Sequence, residues 1–158
     1  MTTKLDAFDL QILKIVQDNN LATHREIAEE VNLSTPAVAR RLRRLRTEGV
    51  IWKDVSILQP ERVGNRLTII VNVAVESEAI EQLDAIKQRF SRCPQVQQCY
   101  YVTGDADFIL IMSVKDMAEY EALTRSLFFD AGNVKHFHTA VAMQRVKVSM
   151  SIPVARDE

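Results

Sequence analysis

Long hydrophobic runs are missing from this chain. No stretch approaches the ~18 consecutive apolar residues of a membrane span, and no secretory h-region follows Met1, so a cytoplasmic protein with no membrane partner is expected. Cysteine is also scarce. Cys93 and Cys99 are too few and too close in sequence for a disulfide framework, and in a reducing compartment both stay as thiols. With 4 Gly and 4 Pro among 158 residues, 47% of them hydrophobic, the chain is neither low-complexity nor disordered and has room for one or two small domains. No nucleophile elbow, Walker loop or dinucleotide glycine fingerprint is present, so the usual sequence grounds for an enzyme and for a cofactor are absent. His136 and His138 project from one side of an expected strand as metal ligands can, but no Cys, Asp or third His stands at a matching spacing. No metal is expected.

Excess charge of one sign is missing overall, since the formal net charge is -1, yet its distribution is uneven. Residues 33 to 53 hold six Lys/Arg against one acid, a local +5 that leaves the remainder at -6. Any nucleic-acid contact must therefore be local to this stretch, because the rest of the surface repels phosphate. Ser34 is a good N-cap and Pro36 falls in the first turn, where its missing N–H costs nothing. A helix is predicted from about Thr35. Val38, Leu42 and Leu45 make one apolar stripe, and Arg40, Arg43, Arg44 and Thr47 project from the opposite side. Gly49 ends the helix, and Val50 to Trp52 follow as a short apolar segment. Arginine serves both bidentate guanine contacts and phosphate contacts.

Two further helices precede this one. Residues 6 to 19 carry Phe8, Leu10, Ile12, Leu13, Ile15 and Val16 behind Asp6 and Asp9. Thr23 and Glu26 form a capping box for a second, two-turn helix whose Ile27, Ala28 and Val31 face inward, and Asn32 suits the left-handed turn after it. The order and lengths are those of a helix-turn-helix. Candidate contacts to double-stranded DNA are Ser34, Thr35 and Pro36 at the start of the third helix with Arg40, Arg41, Arg43, Arg44 and Thr47 along it.

Residues 54 to 66, with Pro60 and Gly64, read as a linker containing one extended piece, Val55 to Leu58. Beyond it the period changes. Leu67 to Val75 is a β-branched strand, Ser77 to Phe90 a helix with Ile80, Leu83, Ile86 and Phe90 inward, and Val96 to Val102 and Phe108 to Val114 are two more strands. Met117, Tyr120, Leu123 and Leu127 mark a further helix, and Phe137 to Met150 a long last strand. The order is βαββαβ, the ferredoxin-like split unit. The fold class is α+β, with a winged-helix-like helix-turn-helix domain over residues 1–53 and a ferredoxin-like domain over 67–158. Helices cover only one face of such a sheet, so the apolar second face predicts a homodimer.

The pattern D-x-x-D-x-x-I-L at Asp6 to Leu13, E-I-A-x-x-V at Glu26 to Val31, and L-S-x-x-x-V-x-R-R-L-x-x-L-x-x-x-G-V-I at Leu33 to Ile51 together resemble the Lrp/AsnC family of transcription regulators, also called feast/famine regulators. The loop Thr103-Gly104-Asp105-Ala106-Asp107 before Phe108 is similar to the family's G-x-x-D-[Y/F] signature. The resemblance implies a bacterial or archaeal, nucleoid-associated regulator whose dimers assemble further, as far as an octamer. It also implies an amino-acid effector site at a contact between dimers, lined by Thr103, Gly104, Asp105, Ala106 and Asp107, with Thr139 as a further ligand. The chemistry is coherent, since an Asp pairs with an ammonium and turn N–H groups receive a carboxylate. The plainer reading of Gly104, Asp105 and Asp107 is a hairpin turn with its cap. The alternative function is an architectural protein that wraps DNA and ignores ligands.

Overall fold

The structure is a computed structural model that describes residues 4–130 and 132–154. The chain divides into two compact units, residues 1–57 with 147–158, and residues 58–146.

In the first unit three helices run Ala7–Asp18 (α1), His24–Val31 (α2) and Thr35–Thr47 (α3). Each starts where a side chain replaces the missing intrahelical acceptor. Asp6 Oδ1 accepts from the N–H of Asp9 at 2.9 Å while Asp9 Oδ2 accepts from the N–H of Asp6 at 3.0 Å. Thr23 and Glu26 form the same reciprocal box, and Ser34 Oγ accepts from the N–H of Ala37 at 3.3 Å. Between α2 and α3 the chain reverses through Asn32 at φ 54, a left-handed conformation that Asn adopts more readily than other residues with a Cβ. Ile12, Ile27, Val31, Val38, Leu42 and Leu45 form the core, with Val50 and Ile51 packed at its edge.

The second unit is a four-stranded antiparallel sheet in the order β2-β3-β1-β4, made of Leu67–Val75 (β1), Val96–Tyr101 (β2), Phe108–Val114 (β3) and Val134–Val141 (β4). Helix α4 spans Ile80–Arg92 and α5 spans Met117–Thr124, the latter continued by a π turn at Arg125–Phe129. This is the βαββαβ order expected. Ile69, Val71, Val73, Phe108, Leu110 and Met112 alternate inward along β1 and β3 and meet Leu83, Ile86, Phe90 and Phe128 from the helical side. The other sheet face carries Ile70 and Asn72, Ile109 and Ile111, Tyr100, and His136 and His138, while α4 and α5 both pack on the opposite side.

Two expectations are corrected. Helix α4 begins at Ile80, not Ser77, because the buried Asn133 grips the backbone of Ser77: its Oδ1 accepts from the Ser77 N–H at 2.9 Å and its Nδ2 donates to the Ser77 carbonyl at 3.0 Å. Ile80 consequently lies outside the core. The last strand ends at Val141 instead of continuing to Met150, since the N–H of Ala142 bonds the carbonyl of Thr68 at 2.9 Å and β1 offers no residue beyond Leu67 for the chain to pair with. Val146, Val148 and Met150 keep the period of a strand, one position out of step with Met143, but all four are exposed. The described residues from Lys147 onward belong to the first unit, where the Gln17 side chain bonds both backbone groups of Ile152, at 3.0 and 3.1 Å, and Val154 packs on the helical core. The stretch Val55 to Leu58 forms no strand, and its apolar side chains are exposed.

Candidate nucleic-acid interface and effector loop

Helix α3 sets five arginines in two classes. Arg41 lies on the flank nearest α1, where its Nη1 donates to Asp6 Oδ2 at 2.7 Å and to Asp9 Oδ1 at 2.8 Å and its guanidinium sits 5.5 Å from the centroid of the Phe8 ring. Arg44, one turn on, donates from Nη2 to Asp9 Oδ2 at 2.5 Å. The Asp9 carboxylate is 0% exposed, so these two guanidiniums and the Asp6 N–H stand in for the water it has lost. Arg46 faces the other way and forms a bidentate pair with Asp54 at 2.8 and 3.2 Å. Arg40 and Arg43 are exposed and have no ion pair or hydrogen bond among the described residues.

The expected free cationic face is therefore narrower than five arginines. Arg41 and Arg44 are neutralised from behind by α1, while Arg40, Arg43 and Thr47 lead, with Ser34, Thr35 and Pro36 exposed at the start of the helix. The same contacts move the titrations. A hydrogen bond from the Asp9 backbone, aided by the Arg41 guanidinium, lowers the Asp6 carboxyl, and hydrogen bonds from Asp6 and Asp9 raise Arg41. The Arg46 guanidinium likewise lowers Asp54. The roles of Phe8, Asp6, Asp9 and Asp54 were not anticipated from sequence. The two acids three residues apart did signal a helix start, but their second use, as a seat for α3, depends on a packing between helices that no local pattern records.

The loop between β2 and β3 turns at Gly104, whose φ of 120 strains any residue with a Cβ. Thr103, Gly104 and Asp105 are exposed and Ala106 is half-buried. Asp107 is structural: its N–H bonds the Val73 carbonyl at 2.9 Å, its carbonyl accepts from Val102 at 2.9 Å, and its Oδ2 accepts from the N–H of Val75 at 2.7 Å. It secures β1 at the place where the register with β4 shifts. Thr139 lies across β1, opposite Val71, and its Oγ1 is 2.5 Å from the Tyr120 hydroxyl on the helical side of the sheet. Burial raises the Tyr120 phenol, an effect the Thr139 contact partly offsets. Since β1 lies between β4 and β3, Thr139 and the loop stand on opposite sides of that strand within one chain. His136 and His138 sit with ring centroids 5.5 Å apart, and among the described residues no group of three potential metal ligands forms.

A helix-turn-helix with a cationic reading helix, joined to a ferredoxin-like domain with a glycine-turned loop, defines a two-domain DNA-binding regulator. Residues 5–51 match the family model described as winged helix-turn-helix DNA-binding, and residues 68–152 match that of the Lrp/AsnC ligand binding domain. The chain belongs to the Lrp/AsnC family of transcriptional regulators, which are not enzymes. It is 46% identical to an uncharacterised HTH-type transcriptional regulator of Sinorhizobium fredii, over 96% of this chain and 89% of that protein. The fold superposes on a crystal structure of an AsnC family transcriptional regulator from Agrobacterium tumefaciens with a TM-score of 0.89 at 30% identity, covering 94% of this chain and 97% of that one. A Neisseria meningitidis transcriptional regulator solved as a complex with L-Met is similar at a TM-score of 0.89 and 25% identity, over 95% of this chain and 97% of that one. No helix among the described residues is long and apolar enough to cross a membrane.

Proposed function

We propose that the protein binds specific duplex DNA through the exposed face of α3 and that an amino acid, held at the loop around Gly104 and Asp105 where subunits meet, alters that binding. The observation that carries the first part is the pair of unpaired arginines, Arg40 and Arg43, on the second helix of a helix-turn-helix. Phosphate or guanine is the partner that their geometry fits. The amino-acid part is supported by the L-Met complex of the Neisseria relative. It is also supported by Asp105, an exposed acid on a tight turn that no other side chain engages among the described residues. The uncovered sheet face, with Ile70, Ile109, Ile111 and Tyr100, is the surface for a second copy, and dimers would build an octamer from there.

The test is fluorescence anisotropy with a duplex selected from a random pool, at several salt concentrations. Arg40→Ala and Arg43→Ala should each cost about 1–3 kcal/mol where the side chain reads a base, and lower the salt slope by about one where it meets only phosphate. Wild-type affinity in the double variant would misplace the reading face. Calorimetric titration with the twenty amino acids, repeated on Asp105→Ala, tests the effector. A response that survives Asp105→Ala places the ligand elsewhere.

A further inference from the structure

We infer that the groove between α4 and the end of α5 is a second small-molecule site, one that takes an aliphatic carboxylate lacking an ammonium group, such as a 2-oxo acid. The groove has a volume of about 510 Å³ and is walled by Gln88, Arg89 and Arg92 on one side and Leu123 and Leu127 on the other. Arg89 and Arg92 line it, and among the described residues no Asp or Glu does. Arg89 and Arg92 stand one turn apart at the C-terminal end of α4. The helix dipole there favours the arginines and opposes an anion, so recognition has to come from the guanidinium N–H groups themselves.

Among the described residues those groups lack partners. Arg89 Nη1 is shielded from water and makes no hydrogen bond, and neither Arg89 nor Arg92 is in an ion pair among the described residues. A shielded, unpaired guanidinium donor is costly to leave unmade, and a small rotation of the side chain into the groove would deliver it to a carboxylate in the fork geometry. Neighbouring acids do not supply the missing counter-charge. Glu119 accepts from Gln95 Nε2 at 2.9 Å and from the Lys115 N–H at 2.7 Å, and Asp84 is 3.7 Å from Lys87 Nζ. Gln95 Oε1 accepts from the Cys93 thiol at 3.4 Å and the Ser126 hydroxyl donates to the Leu123 carbonyl at 3.1 Å, so these wall groups are committed as well.

The missing acid selects the ligand. An amino acid would bring an ammonium up against two guanidiniums with no carboxylate to receive it, whereas its deaminated counterpart carries the same carboxylate with no opposing charge. The oxo oxygen is one more acceptor for the arginines or the Gln88 amide, and an aliphatic chain lies against Leu123 and Leu127. Such a site is separate from the Gly104 loop and reads a different chemical form.

Isothermal titration of the full-length protein with 4-methyl-2-oxopentanoate, leucine and inorganic phosphate, at matched ionic strength, tests this. Binding of the oxo acid is expected to weaken at least about tenfold in Arg92→Gln and in Arg89→Gln. Leucine binding and ligand-free DNA affinity should stay at their wild-type values. Arg92 is exposed, so its variant decides the matter even if Arg89→Gln fails to fold. No heat from the oxo acid, or an affinity unmoved by Arg92→Gln, overturns the site. Leucine binding lost in parallel overturns the argument from the missing acid, and phosphate bound as tightly as the oxo acid overturns the carboxylate assignment.

Discussion

Asp9 ties the reading helix to its support, because one fully buried carboxylate receives guanidiniums from Arg41 and Arg44 and closes the cap of α1. Replacing it with Ala leaves Arg41 with Asp6 alone and Arg44 with only its 3.9 Å contact to Glu48. Because Arg41 and Arg44 keep some access to water, the cost should fall near the lower end of the ~3–5 kcal/mol typical of a broken buried pair. Urea unfolding of Asp9→Ala measures it. The two loop acids should separate in the same assay. Asp107→Ala loses the bond to the Val75 N–H and should lower stability, by about 1–3 kcal/mol, whereas Asp105→Ala should leave stability unchanged and remove only the effector response. The lowered carboxyls give a pH sign. Asp6 and Asp54, with an ordinary value of 3.8, are both held below it in the fold, so their contribution is complete above that value and is lost as the pH falls through the lower folded ones. Acid titration followed by circular dichroism should show stability beginning to fall below about pH 5, since Glu26 and Glu119 are likewise held below their ordinary 4.5.

At the scale of elements, short patterns were read correctly wherever a local bond decides the outcome. Asp6, Thr23 and Ser34 cap their helices as their sequences imply, and Asn32 takes the left-handed turn. Asn32→Val should therefore lose about 1–2 kcal/mol and Asn32→Gly much less, by thermal unfolding. Where a distant residue decides, the pattern misled. Asn133 delays α4 from a position 56 residues away, and the end of β1 stops β4 although apolar side chains recur as far as Met150. Alternation records which side chains are apolar. It does not record whether a neighbouring strand is there to pair with them.

The whole molecule carries two consequences. The described end of the chain returns to the helical unit, where Gln17 and Ile152 exchange two hydrogen bonds and Val154 joins the core. A chain ending at Val146 should show weaker hydrogen-exchange protection in α1 and unchanged protection in the sheet. The uncovered sheet face should bury itself against a second copy, so sedimentation at micromolar concentration should find an assembly. Ile111→Glu, placing a charge in the middle of that face, should shift it toward monomer.

The sequence by itself determined the element order, the helix starts, the turn residues, the inward-facing stripes and the location of the positive charge, because each depends on side chains a few positions apart. Only the tertiary structure decided which arginines are free. Arg40, Arg41, Arg43, Arg44 and Arg46 are indistinguishable as letters, and their roles part only when Asp6, Asp9 and Asp54 arrive from elsewhere in the chain. The same holds for Asp107, whose carboxylate meets the Val75 N–H across 32 positions, and for the C-terminal segment on α1, since a bond between distant residues exists only once packing has brought them together.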